Sequence, residues 1–155
     1  MQEVYKKYTF DRFIFRQQYN YQRALTEIRE GKKESCWMWY IFPQLRQLGT
    51  SRKSYVFGII DADHANAYLK NPVLGPRLIE CCNALLTHFD KSAEDILGEI
   101  DAQKLFSSMT LFASISEDNS IFHKVLCRFY GGEKDDKTLQ ILRRQKLKIL
   151  RRNTL

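Results

Sequence analysis

Apolar residues recur at three-and-four spacing along most of the chain, the period of an amphipathic helix. The first run opens at Asp11, which reads as an N-cap, and carries Phe13, Gln17, Tyr21, Ala24, Leu25 and Ile28 to a stop at Gly31. An aromatic block at 35–44 follows, ended by Pro43 and Gln44; its period fits a strand or a buried helical turn, and its helical neighbours favour the turn. Residues 51–58 read as another short helix. Asp61 or Asp63 is expected to cap a helix through Lys70, broken by Asn71-Pro72. Residues 73–88 place Val73, Leu74, Leu78, Cys81, Cys82, Leu85 and Leu86 at helical spacing, with Pro76 tolerated in the first turn. Ser92 and Asp95 form a relative of the capping box, and Gly98 ends that segment. Asp101 is expected to cap a helix carrying Leu105, Met109, Phe112 and Ala113. Asp118 or Asn119 should start the run Phe122, Val125, Leu126 and Phe129, closed by Gly131-Gly132, and Asp135 or Asp136 should start the last helix. No Asn-Gly or Asp-Gly hairpin signal occurs. The pattern predicts an all-α fold, a compact single-domain array of about seven or eight short helices.

Composition changes this picture little. A chain of 155 residues is one domain by size, and 44% hydrophobic with 13% aromatic residues excludes a disordered polar segment. No apolar run is long enough to span a membrane, and the first residues carry no apolar stretch of a signal peptide, so a cytoplasmic location is expected. The four cysteines, Cys36, Cys81, Cys82 and Cys127, form no CxxC and are expected to be reduced and mostly buried. His123 and Cys127 are four apart, but two ligands do not make a zinc site. No metal and no cofactor are expected.

Charge divides the chain. Arg143, Arg144, Lys146, Lys148, Arg151 and Arg152 have no acid among them, and without these six the net charge falls from +7 to +1. The expected organisation is a helical domain at 10–142 and a basic helical extension at 143–155. The terminal stretch from Leu139 to Leu155 places Leu139, Leu142, Leu147, Ile149 and Leu150 within about 160° of a helical wheel. It suits weak contact with a polyanion, or a terminal helix docked on the domain with a solvated polar face.

Four segments together resemble a known family. They are Trp37-Met38-Trp39-Tyr40-Ile41-Phe42-Pro43-Gln44-Leu45; Tyr68-Leu69 with Pro72-Val73-Leu74-Gly75-Pro76-Arg77-Leu78; Asp95-Ile96-Leu97-Gly98; and Asp101 with the run from Lys104 to Ala113. With Arg12-Phe13 and Phe129-Tyr130-Gly131-Gly132 as outer borders, the chain resembles the bacterial family called domain of unknown function 1810 over about residues 10–142. The resemblance implies a compact all-helical fold and no established activity. Members are often labelled "calpastatin"; a calpain inhibitor is a disordered polar chain, so the aromatic, periodic sequence here argues against that label. The family commonly has His before the Trp-x-Trp and before the mid-chain proline, where this chain has Cys36 and Asn71, which weakens any mechanism that needs imidazole at either place.

Several constellations are candidates for chemistry, each with a plainer reading beside it. Trp37 and Trp39 would point to different helical faces, and with Gln44 they suit an aromatic-polar cleft on which a small polar or nucleotide-like ligand stacks; the plainer reading is a core block. Arg77 follows Gly75-Pro76 at a helix start, where amides and a guanidinium together suit a phosphate, with Arg52 and Lys53 able to add to such a site; the plainer reading is a surface arginine. Asp101, Lys104 and Ser108 fall on one helical stripe, and Lys104 lies three before Ser107, the reach of a lysine-activated serine; the plainer readings are an exposed ion pair and small hydroxyls that let helices approach. The ligand-site set is therefore Trp37, Trp39, Gln44, Arg77, Asp101, Lys104 and Ser108. Two functional classes stay open, a small-ligand domain and a non-enzymatic protein- or polyanion-interaction module, and no reaction is legible.

Overall fold

The computed structural model describes residues 9–154, which form nine helices and no strand. They are α1 (Asp11–Glu30), α2 (Met38–Ile41), α3 (Arg52–Phe57), α4 (Ala62–Lys70), α5 (Leu74–Leu85), α6 (Ala93–Leu97), α7 (Glu99–Ser114), α8 (Ile121–Tyr130) and α9 (Asp136–Thr154), with a 3-10 turn at Arg46–Leu48. The fold is all-helical, as the spacing predicts. The count exceeds seven or eight because α2 and α6 are a turn or so long, 4 and 5 residues. No helix among the described residues is long and apolar enough to cross a membrane.

The core gathers where the longer helices cross. Tyr68 of α4 is fully buried among Phe13 of α1 (ring centroids 5.5 Å), Phe10 (5.8 Å) and Phe112 of α7 (5.6 Å). Burying rings of this size dominates the apolar free energy of a small domain. Helices α1, α4 and α7 thus share one aromatic centre. Next to it, Gln44 and Arg46 pair with Ile59 through backbone bonds (Ile59 N–H to Gln44 O, 2.9 Å; Arg46 N–H to Ile59 O, 2.8 Å), which pins the 3-10 turn against the chain leaving α3.

Local chemistry explains most helix ends. Ser51, Asp61 and Ser92 accept the backbone N–H three residues on, and Ser92 with Asp95 completes a reciprocal capping box. Gly31 takes the left-handed conformation that ends α1. Gly75 is required by space, since a Cβ there would stand 2.0 Å from the Leu69 carbonyl.

Three expected caps are displaced. Asp11 is the first residue inside α1, preceded by Phe10 with no side-chain cap. Asp101 lies inside α7, which starts at Glu99 directly after Gly98; φ of 87° at Gly98 lets α6 turn into α7 without a linker. Ser120, not Asp118 or Asn119, caps α8, its hydroxyl meeting both the His123 amide and imidazole. The cysteines split evenly: Cys81 and Cys82 are buried, Cys36 and Cys127 exposed, and all four are free thiols. Burial pushes the Cys81 thiol up to about 12.

Candidate functional site

Trp37 is held by a buried carboxylate. Glu27, near the end of α1, accepts the Glu34 amide (2.7 Å), the Ser35 amide (2.9 Å), the Trp37 indole N–H (2.9 Å) and the Ser35 hydroxyl. Burial alone would raise the Glu27 pKa; the four donors outweigh it and hold the carboxyl at about 2. Trp37 is 1% exposed, so its ring fastens the 31–37 loop to α1 and offers no face to a ligand.

Trp39, two residues on, points elsewhere. The Lys104 ammonium stands over its ring, 3.6 Å from the centroid. Asp101, one turn back on α7, binds Lys33 (2.9 Å) and Lys104 (3.6 Å), and Lys33 also lies over the Trp37 ring at 5.2 Å. The exposed Asp101–Lys104 pair expected from spacing is instead part of a half-buried string from Lys33 to Trp39. Trp39, Gln44 and Lys104 do meet, around a crevice of about 10 Å³ that also includes Met38, Phe42 and Phe57. That volume holds one water and no larger molecule.

The other predicted residues lie apart. Ser108 is fully buried and its hydroxyl makes no hydrogen bond. Ser107, the serine within reach of Lys104, donates instead to the Asp135 carboxylate (2.8 Å), which also accepts from Thr138 (2.6 Å). Arg77 packs on α1, its guanidinium 4.8 Å from the Tyr21 ring centroid and 3.4 Å from the Gln17 amide oxygen, and does not line the Trp39 crevice.

Trp39 also borders a much larger space. A groove of about 1000 Å³ runs between α1, α2 and α3, with Trp39, Tyr40 and Phe57 on its apolar wall, Phe15 at its side and Asn20 beside Tyr40. Four cations surround it, Arg12 and Arg16 from α1 and Arg52 and Lys53 from α3, against one acid, Asp11. Among the described residues both ion pairs converge on Asp101, so none of these four cations has a carboxylate partner. Arg52 and Lys53 are readable in the sequence as additions to an anion site; Arg16 is not singled out there, and Arg12 appears only as a family border. The missed signal is Arg12 and Arg16 four apart on one helix face, a like-charge pair that an isolated helix disfavours. On another side, a groove of about 940 Å³ carries four acids, Glu94, Glu99, Glu133 and Asp135, against two lysines, Lys104 and Lys137, and also includes Gln44.

This architecture recurs elsewhere. The crystal structure of the conserved hypothetical protein Rv1873 from Mycobacterium tuberculosis superposes with a TM-score of 0.83 at 41% identity, covering 86% of this chain and 95% of the other. Among curated proteins nothing matches the chain. Residues 7–142 match the family described as Protein of unknown function (DUF1810), and the chain belongs to that family.

Proposed function

We infer that the chain binds a small anionic ligand carrying a flat ring, nucleotide-like in chemistry, in the groove between α1, α2 and α3. One observation carries this reading: four cations that have no carboxylate partner among the described residues stand around an apolar wall of Trp39, Tyr40 and Phe57. Cations at a folded surface ordinarily find carboxylates or spread out, whereas a cluster beside the half-buried Trp39, with Tyr40 and Phe57 buried behind it, supplies both halves of nucleotide recognition, an aromatic surface and phosphate contact. Of the ligand-site set read from the sequence this reading keeps Trp39; Arg52 and Lys53, offered there only as additions beside Arg77, join it with Arg12, Arg16 and Asn20. The test is thermal unfolding of the full chain with adenosine monophosphate. At 100 times its dissociation constant the nucleotide adds about 2.7 kcal/mol of stability. Arg16→Ala combined with Arg52→Ala abolishes that gain if the groove is the site; an undiminished gain, or none in the parent chain at millimolar nucleotide, ends the reading.

A second reading rests on α9. Residues 146–154 are all exposed, including Lys146, Lys148, Arg151 and Arg152. We infer that this stretch is a basic extension beyond the helical domain and a site of polyanion contact. Each lysine or arginine that meets a phosphate contributes about 0.9 to the log–log salt slope on duplex DNA.

A further inference from the structure

A second cationic cavity, of about 360 Å³, shares only Arg12 and Val56 with the groove. Its other walls are Thr9, Arg46, Tyr55, Ile60 and His64. Elements far apart in sequence converge here: the start of α1, the 3-10 turn, α3 and the start of α4.

The two guanidiniums are held in different ways. Arg12 is clamped by backbone, its Nε donating to the Val56 carbonyl and its Nη1 to the Thr9 carbonyl (2.8 Å). Arg46 lies on the Tyr55 ring, its guanidinium carbon 4.3 Å from the centroid, and its buried Nε donates to nothing. Neither has a carboxylate partner among the described residues. Burial and then the Arg46 charge lower the Arg12 pKa, so the like charges act on one another inside the structure. His64 joins them as a neutral ring. Its Nδ1 accepts the Ile60 amide (2.9 Å), which places its proton on Nε2, and burial, then the Arg12 charge, holds its pKa down at about 4. Asp61 is the acid nearest His64, and it caps α4 by accepting the His64 amide (2.8 Å).

We propose that this cavity is an oxyanion-binding site, built by Arg12, Arg46 and His64 for a phosphoryl or carboxylate group. Two partly buried like charges with no carboxylate partner among the described residues repel one another inside the fold, and an anion seated between them offsets that cost. A guanidinium fork matches the paired oxygens of phosphate and carboxylate, and the buried Nε of Arg46 makes no hydrogen bond. The neutral His64 ring lines the cavity without adding a third repelling charge. The cavity volume suits an oxyanion with a small substituent.

This inference does not rest on the groove reading, and calorimetric titration of the full chain with inorganic phosphate at constant ionic strength separates the two. The parent chain binds phosphate; Arg46→Ala lowers the affinity at least tenfold; Arg46→Lys, which keeps the charge and loses the fork, lies between. Arg52→Ala with Lys53→Ala leaves phosphate affinity within about twofold, since neither residue lines this cavity. Acetate titrated in parallel assigns the class: equal affinity points to a carboxylate ligand, weaker affinity to a phosphoryl ligand, and either supports the site. Absence of phosphate binding in the parent chain overturns the proposal. So does unchanged affinity in Arg46→Ala and Arg46→Lys with circular dichroism intact, or an equal loss in the Arg52/Lys53 variant, which would mean diffuse attraction. A nucleotide-induced shift without any phosphate effect at Arg46 would leave the groove standing and this site refuted.

Discussion

Glu27 is buried and the Arg12–Arg46 pair partly buried, and the protein treats these charges in opposite ways. Glu27 is 7% exposed, yet it receives four donors from residues seven to ten positions away. Its charge is compensated inside the fold, and what it gains is a fixed loop with Trp37 locked in the core. Arg46 has a ring beneath it and no partner for its buried Nε, and Arg12 satisfies backbone carbonyls without neutralising its charge. On the proposal of an oxyanion site, the difference separates structural from functional electrostatics in this molecule. A compensated buried charge holds shape, and an uncompensated cluster beside a cavity waits for something from outside.

That contrast breaks most directly at Glu27. Glu27→Ala strands two amides and an indole N–H in a buried place, and the expected loss is about 3–5 kcal/mol in denaturant unfolding. The pH dependence sharpens it. Glu27 has a folded pKa of about 2 against an ordinary 4.5, so its stabilising contribution is complete above pH 4.5 and disappears as pH falls through 2. The stability gap between the parent chain and Glu27→Gln should therefore narrow between pH 4.5 and 2. A constant gap would mean that the charge is irrelevant and only shape matters.

His64 gives the next effect, in a higher pH window and with the same sense but the opposite cause: Glu27 is held charged, whereas His64 is held neutral. Its folded pKa of about 4 lies below the ordinary 6.5, so the unfolded chain takes up the proton more readily. Stability should fall as pH drops from 6.5 toward 4, by about 3 kcal/mol at most. His64→Gln should flatten that slope. Phosphate seated beside Arg12 and Arg46 would offset their charges and ease protonation of the imidazole, so saturating phosphate should also flatten it at pH 5. An identical slope with and without phosphate would place the anion elsewhere.

How much of this was readable beforehand depends on range. Helical spacing exposes the core stripe of α1, Phe13, Gln17, Tyr21, Ala24 and Ile28, because that pattern is local and burial follows it. Capping is legible where one strong candidate stands alone, as at Asp61 and Ser92. It fails where Asp118, Asn119 and Ser120 stand in a row, since all three are capping residue types and only the backbone decides which one does it. Asp101 reads as a cap by type, and only the left-handed Gly98 shows that α7 begins before it. The sites are less legible. Trp39 and Lys104 meet across 65 positions, and Arg12 and Arg46 across 34, through packing that no spacing rule encodes. Glu27 looks like one more surface acid on a charged helix. Only the turn at Gly31 folds the following loop back over it.

The C-terminal helix tests the comparison at the edge of the fold. Thr138 and Ile141 of α9 are buried and Gln145 donates to the Ile60 carbonyl (2.8 Å), while Leu147, Ile149 and Leu150 are more than half exposed. Truncation after Leu142 therefore removes one bond to the body and a mostly solvated helix, at an expected cost of about 1 kcal/mol. If the basic residues beyond Leu142 contact polyanions, the truncated chain stays folded and loses heparin affinity. Aggregation, or melting many degrees lower, would show that the exposed leucines pack in solution.

The smallest stability change carries the most information about function. Arg52→Ala with Lys53→Ala removes two exposed cations of α3 that make no ion pair among the described residues. Substitutions of this kind usually change stability by no more than about 0.5 kcal/mol, and loss of mutual repulsion could even make the sign favourable. The variant should thus unfold like the parent chain in buffer. It should differ only when adenosine monophosphate is present, losing most of the ligand-induced gain while keeping phosphate affinity at Arg46. A large loss of stability in buffer would place Arg52 and Lys53 with Glu27, as charges the fold itself consumes. An unchanged nucleotide response would leave the cluster around Trp39 as surface charge and move the search to the cavity between Arg12 and Arg46.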